Sequence, residues 1–208
     1  IENLQSYSLD NLTNSINSDY YAYLSAIRQF ANPKTIEINL LATPGIDYVN
    51  NLKLVEDVIE MVSEERKDVL YVVTTPDKPF GSSDSVYDMY TPTDAVMNLD
   101  SSELDSNRVC TYYPWAKYYD SDNSQYIYLP ITRDVLKSFA YTDNITFPWY
   151  GNAGWDRGNL SSVKPKKKLK LAEQDVLYDG RINFINSFGK EGDTILYNKN
   201  LHITERII

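Results

Sequence analysis

The groups in this chain whose types and spacing could do chemistry are one histidine, one cysteine, an acidic hydroxyl-rich run and a run of lysines. A Ser-His-Asp hydrolase needs an imidazole to take the nucleophile's proton. The single histidine, His202, sits near the end in Asn200-Leu201-His202-Ile203, and no Gly-x-Ser-x-Gly elbow accompanies it. It reads as a surface or strand histidine. One His and one Cys cannot build a zinc shell. Asp120-Ser121-Asp122-Asn123-Ser124 spaces oxygens like a calcium loop but lacks the glycine and later glutamate of an EF-hand. It reads as a solvated hairpin tip. Thr43-Pro44-Gly45-Ile46-Asp47 offers one glycine behind a proline where a dinucleotide site needs G-x-G-x-x-G, and no Walker A string exists. Cys110, within Arg108-Val109-Cys110-Thr111-Tyr112-Tyr113, reads as a small core residue on a strand. The expectation is a non-enzyme with no cofactor and no metal.

Lys164-Pro165-Lys166-Lys167-Lys168-Leu169-Lys170 is a local positive pole in a chain of net charge −9. Two readings stand: a solvated loop before a helix, or a docking stripe for an acidic protein surface. The other unusual stretch is Pro148-Trp149-Tyr150-Gly151-Asn152-Ala153-Gly154-Trp155-Asp156-Arg157-Gly158. Its glycines permit tight turns or positive φ. Its two tryptophans favour a packed surface, and Arg157 brings a planar fork of donors. The loop reads as a rigid, aromatic-anchored connector.

The elements that must position these groups alternate. Apolar residues at 20, 23, 24, 27 and 30 give a helix over 19–30, closed by Asn32-Pro33. Residues 35–42 alternate as a strand, and Thr43-Pro44-Gly45 turns the chain. A helix over 49–66 follows, then a strand at 68–74 whose unbroken apolar run implies cover on both faces. Residues 76–91 read as loop. Thr91-Pro92 opens a helix over 92–104. A strand at 108–113 precedes a hairpin of 115–119 and 125–129 around a five-residue loop. Helices at 132–141 and 172–178 and a short strand at 194–197 complete the pattern. The alternation predicts an α/β fold, a mostly parallel central sheet with helices on both faces plus a β-hairpin.

A length of 208 residues fits one domain. Apolar content of 42% and charged content of 24% are ordinary for a globular chain, but eighteen tyrosines are not. Tyrosine suits surfaces that meet partners; AT-rich codon drift explains it equally well. Net charge −9 argues against direct nucleic-acid binding, and no apolar run reaches the roughly 18 residues of a membrane span. The start at Ile1 points to a fragment of a longer protein.

Beyond these separate features, the order of motifs resembles phage contractile tail sheath proteins. The resemblance rests on Ala153-Gly154-Trp155-Asp156-Arg157-Gly158, then Leu177-Tyr178 and Ile182-Asn183. A glycine-bearing turn (189–192), Leu196-Tyr197 and Glu205-Arg206-Ile207 follow in the family's order. Upstream, the segments at 41–47 and 64–70 sit where the family has a Pro-Gly turn and an acidic-Arg segment. Phe184 departs from it, since a proline usually follows Ile-Asn. The resemblance implies a three-layer, subtilisin-like α/β body without a catalytic triad, with residues 1–208 forming the sheath core domain. The N-terminal portion and the C-terminal arm would be missing. It implies a structural subunit of six-fold helical rings around a tail tube, which contracts to drive the tube through the host envelope for genome delivery. Implied partners are further copies, the tail tube protein, and baseplate and tail terminator proteins. The place would be the virion tail, assembled in the host cytoplasm. Trp149, Gly154, Trp155, Arg157, Gly158, Leu177, Tyr178 and Asn183 are its motif residues. Lys164, Lys166, Lys167, Lys168 and Lys170 are candidate tube or subunit contacts. The alternatives are a sheath of a bacteriocin or secretion-type injection system, a tyrosine-rich binding module, or an enzyme using an unrecognised carboxylate pair.

Overall fold

A computed structural model describes residues 18–79, 89–147, 150–160, 164–188, 193–195 and 198–201. Its main sheet has six strands in the order β1-β2-β3-β8-β9-β6. These are β1 (Leu40–Asp47), β2 (Leu70–Thr74), β3 (Val109–Tyr113), β8 (Asn183–Ser187), β9 (Asp193–Ile195) and β6 (Asn159–Leu160). The first four run parallel, while β9 lies antiparallel to β8 and β6. A second sheet, β5-β4-β7, joins β4 (Ala116–Asp120) to β5 (Gln125–Leu129) and to β7 (Lys164–Pro165), both antiparallel. Helices are α1 (Ser18–Gln29), α2 (Leu52–Glu64), α3 (Pro92–Ser101), α4 (Thr132–Ile145), the single turn α5 (Gly154–Arg157) and α6 (Leu171–Asp179).

The period of two in the central strands divides the core. Tyr71, Val73, Val109 and Tyr113 face one cluster, which α1, α2, α3 and α6 complete with Ile27, Val55, Val58, Leu99 and Leu177. Val72, Cys110 and Tyr112 face the other, with Ile131 and Val135 at α4 and Ala116 and Tyr118 from β4. Both faces of β2 and β3 are thus covered, which explains why neither strand alternates in polarity. Cys110 is buried here, and burial pushes its thiol up to about 12, so it is a packing residue. Helix α2 turns Leu54, Val55, Val58, Met61 and Val62 inward, the i, i+1, i+4, i+7, i+8 stripe of an amphipathic helix. Thr91 caps α3: its hydroxyl accepts from Asp94 N–H while the Asp94 carboxylate accepts from Thr91 N–H, with Pro92 at the first helical position.

Several expectations shift, four of them with a visible cause. The first strand begins at Leu40 and runs to Asp47, instead of spanning 35–42. The carbonyls of Ile36 and Ile38, which a strand would offer to a neighbour, accept instead from the Arg66 guanidinium at 3.0 Å each. Thr43-Pro44-Gly45 is not a turn between elements but an irregularity inside β1, where the register with β2 shifts and Gly45 takes φ +89°. Helix α2 starts at Leu52 because the Asp47 carboxylate accepts from Val49 N–H and Asn50 N–H at 2.9 and 2.7 Å, holding 48–50 in a turn. The hairpin pairs Asp120 with Gln125, so its tip is residues 121–124. There the Asp120 carboxylate accepts from Asp122 N–H and from the Asn123 amide, which uses its oxygens within the loop itself.

Arg66 is fully buried and all five of its N–H donors are taken. Nε and one terminal nitrogen grip the Asp68 carboxylate at 3.0 and 2.9 Å, and the remaining donors reach the carbonyls of Phe30, Ile36 and Ile38. A lysine has three donors on a single atom and cannot reproduce this fork. Arg66→Lys should lower the thermal unfolding midpoint by roughly 5–10 °C, whereas exposed Arg28→Lys should leave it unchanged. Equal midpoints in a thermal scan would contradict the role given to Arg66.

Candidate functional site

The two stretches singled out by composition lie on different parts of the molecule. The glycine-rich loop follows α4, tightens into α5 and enters β6. Trp149 and Pro148 lie outside the described residues. Gly154 has φ +85°, a conformation that costs an L-residue roughly 1–2 kcal/mol. Gly158 has ordinary φ but no room: a Cβ there would stand 2.4 Å from the Ile195 carbonyl oxygen and 2.9 Å from that of Gly154. Gly158 N–H donates to Gly154 O at 2.8 Å, and Gly158 O accepts from Ile195 N–H at 2.8 Å, so the loop is stitched to β9. Gly151 requires neither freedom nor closeness, since a Cβ there meets only Asn198 at 3.9 Å.

A hydrogen-bond chain anchors the loop to the sheet centre. Tyr112 hydroxyl donates to the Asn198 amide oxygen. The Asn198 amide donates to Asn152 Oδ1 at 2.5 Å, and Asn152 donates to Ser138 Oγ at 3.2 Å. Ser138 Oγ donates to Arg157 O at 2.7 Å. Arg157 Nε closes the loop on Gly151 O at 3.1 Å, with its guanidinium 5.3 Å from the Tyr150 ring centroid. The loop is held to the sheet mainly by these polar contacts. Trp155 is not packed into the core: it is 47% exposed and meets the partly exposed Phe188 at a tilt, with 4.6 Å between ring centroids. The tryptophan was expected to be packed; the single turn of α5 instead points it outward.

Downstream, Leu177 is fully buried in the core below α6. Tyr178 is partly exposed, with Lys199 Nζ 3.1 Å from its ring centroid. Asn183 is fully buried and its amide is satisfied on both ends. It donates to Thr111 O at 3.1 Å and Lys199 O at 2.9 Å, and accepts from Lys199 N–H at 2.6 Å. It welds β3, β8 and the 198–201 segment, a structural task with a sequence signal only in its type: an asparagine inside an apolar strand. The segments at 189–192, 196–197 and 202–208, with His202, lie outside the described residues.

The lysine tract is not one surface. Lys164 lies on β7, exposed, opposite Lys117 of β4. Lys166 turns inside: its Nζ meets Asp77 Oδ2 at 2.5 Å with both side chains buried, and lies 5.0 Å from the Tyr128 ring centroid. Its N–H donates to Trp115 O, while Trp115 Nε1 donates to Thr75 O, each at 2.7 Å. Lys167 pairs with Glu173 at 2.8 Å, and Glu173 also accepts from Lys170 N–H at 2.9 Å, securing the first turn of α6. Lys168 and Lys170 are exposed. A burial code, not charge density, separates these lysines: a buried cation needs a buried carboxylate, and Asp77 is 89 residues away in sequence.

No family model matches the chain. Over 75 residues, 36% of the chain, it is 33% identical to the tail sheath protein of Vibrio phage KVP40, covering 11% of that protein. Over 103 residues it is 30% identical to the tail sheath protein of Enterobacteria phage T4, covering 15% of it. The matched segments thus span well under a fifth of these relatives. In fold it is similar to a chain of the anti-feeding prophage (AFP) baseplate, with TM-score 0.60 and 16% identity over 91% of this chain and 46% of that one. A chain of the AFP helical sheath in its contracted state gives TM-score 0.55 and 18% identity, over 95% and 48%. The contracted PVC sheath complex of an extracellular contractile injection system gives 0.59 and 19%, over 84% and 44%.

Gly158→Ala should cost about 1–3 kcal/mol in urea unfolding because backbone oxygens cannot yield, while Gly151→Ala stays within about 0.5 kcal/mol. The Lys167 hydrogen bond holds the Glu173 carboxyl below its ordinary value of 4.5. Its stabilising contribution is complete above that value and is lost as pH falls through the lowered one. Glu173→Gln should therefore flatten the acid limb of a stability–pH profile below about pH 5, and an unchanged limb would refute the pairing. In sequence this chain is similar to phage tail sheath proteins, and in fold to chains of contractile sheath and baseplate assemblies.

Proposed function

We propose that this chain is the inner body of a contractile tail sheath subunit, a structural protein that assembles helically around a tail tube. On contraction the assembly drives the tube through the host envelope for genome delivery. The observation that carries this reading is the coincidence of two likenesses. Part of the sequence matches two phage tail sheath proteins, and nine-tenths of the fold superposes on a contractile-assembly chain. The subtilisin-like assignment belongs to the same reading, supported by parallel strands β1, β2, β3 and β8 with helices on both faces. So do the six-fold rings, the tail tube and terminator partners, assembly in the host cytoplasm, and the absence of catalysis. No described helix is long and apolar enough to cross a membrane.

The physical role follows from stiffness. Two covered sheet faces and a hydrogen-bonded loop make the subunit a rigid body, so contraction moves subunits against one another without refolding them. The sequence carries no Walker A loop, and the work comes in this reading from two packings of the same subunit that differ in free energy. Contacts with the tube hold the higher-energy, extended packing until the baseplate releases it. Of the candidate contact lysines, the exposed Lys164, Lys168 and Lys170 remain for a tube or neighbour, while Lys166 and Lys167 serve Asp77 and Glu173.

A second reading is a sheath of an injection system with a different payload, favoured by the fold likeness to the AFP and PVC chains. Both readings make one prediction. Negative-stain electron microscopy of the full-length protein, expressed alone, should show long, regular hollow tubes. Dispersed particles across salt and concentration would overturn the sheath reading in favour of a binding module.

A further inference from the structure

The outward face of the three-stranded sheet carries a pattern that the fold does not need. Strand β4 turns Ala116 and Tyr118 into the core and Lys117 and Tyr119 out. Across from Tyr119 stands Tyr126, and across from Lys117 stand Tyr128 on one side and Lys164 on the other. Tyr119 and Tyr126 meet edge to face at 5.1 Å, with Lys117 Nζ 4.4 Å from the Tyr126 centroid. Both tyrosines are more than half exposed, at 53% and 56%. Directly opposed like charges disfavour a strand pair; here the Lys117 ammonium leans over Tyr126 of β5, away from Lys164 of β7, which leaves two separate cations for an anionic surface to cover.

A surface of that charge exists on the same chain. A groove of about 740 Å³ runs between α2 and the turn that follows α3, with Ile59 and Leu104 in its floor. Glu56, Glu60, Glu64, Glu103 and Asp105 line it, and the first four have no cationic partner among the described residues. The groove runs the length of α2, and its most acidic end, at Glu64, Glu103 and Asp105, lies at the end of the parallel strands away from the second sheet. The turn at 102–105 precedes the start of β3 and Glu64 ends α2 ahead of β2, whereas β4 follows the end of β3. Lys166 confirms the placement of the second sheet by reaching Asp77, just past the end of β2. A protein that cannot bring the two together within one chain can do so between copies.

We infer that the lysine–tyrosine face of the β5-β4-β7 sheet docks into the acidic α2–α3 groove of a second copy of this chain. The contact rests on the sheath reading and gives it a subunit interface. Because the two patches differ, the interface is heterologous, and repetition of it generates rings or open helices instead of closed pairs. The cationic face meets carboxylates with an apolar floor for the tyrosines.

The test uses the full-length protein and two double variants, Lys117→Glu with Lys164→Glu, and Glu60→Lys with Glu64→Lys. The first pair keeps one like-charge opposition in place of another, so its melting temperature should stay near that of the parent. Each variant alone should lose assembly, with at least a tenfold drop in sedimentable tubes. A 1:1 mixture should restore tubes, since each reversed face then finds a reversed groove. Tubes formed by either variant alone as readily as by the parent overturn the inference, as does a mixture of folded variants that stays dispersed. If the lysine variant unfolds, the groove variant carries the test, because its changes lie on the exposed side of a helix. A parent that forms no tubes overturns the sheath reading itself, which separates the two failures.

Discussion

The guanidinium of Arg66 is the constraint around which the first half of the domain is arranged. It lies with no solvent contact and gives every one of its protons to a partner. A charge so placed is tolerable only if its partners are fixed, and here three of them are main-chain carbonyls in the segment between α1 and β1. That segment is therefore neither helix nor strand, although its Ile-x-Ile pattern would suit a strand. Its carbonyls are committed to the side chain, and pairing begins only where Asn39 O accepts from Leu70 N–H. From there β1, β2 and β3 register in sequence, and β8 closes on β3 through Asn183. The same logic recurs at the other end of the strands, where buried Lys166 must keep Asp77 and so ties the second sheet to the first.

Much of this was legible in the residues. The apolar stripe of α2, the continuous runs of β2 and β3, the Thr91-Pro92 helix start and the hairpin around Asp120 are local patterns, and local patterns survive folding. What the sequence could not announce were long-range partners. Arg66 looked like one more charge in an acidic-Arg segment, and Lys166 like one of five equivalent lysines. Their burial depends on Phe30 and Asp77, which only the folded chain brings near. The loop around Gly154 was recognisable from composition, but its reasons divide: positive φ at Gly154, crowding by carbonyls at Gly158, and nothing at Gly151. The outward Trp155 shows the limit of reasoning from transfer energies, since a tryptophan can stay about half exposed with only one tilted aromatic neighbour, Phe188.

The two polar clusters also divide the molecule mechanically. The chain from Tyr112 through Asn198, Asn152 and Ser138 to Arg157 fixes one flank, and the Lys166, Trp115 and Thr75 contacts fix the other. Both flanks reach into strand β3 or the residues after β2, so a load applied at either is passed to the centre of the sheet, where packing is densest and least compliant.

The irregularity in β1 has a further bearing on how the sheet ends. Among the described strands β1 is an outer one, and a straight outer strand invites any other exposed strand to join it. Pro44 removes a donor from that border, and the kink at Gly45 bends the remainder out of line. An edge interrupted in this way is a poor template for a further strand, and strand addition is the step by which amyloid-like deposits grow. One route to disordered polymerisation is thus obstructed in the backbone itself.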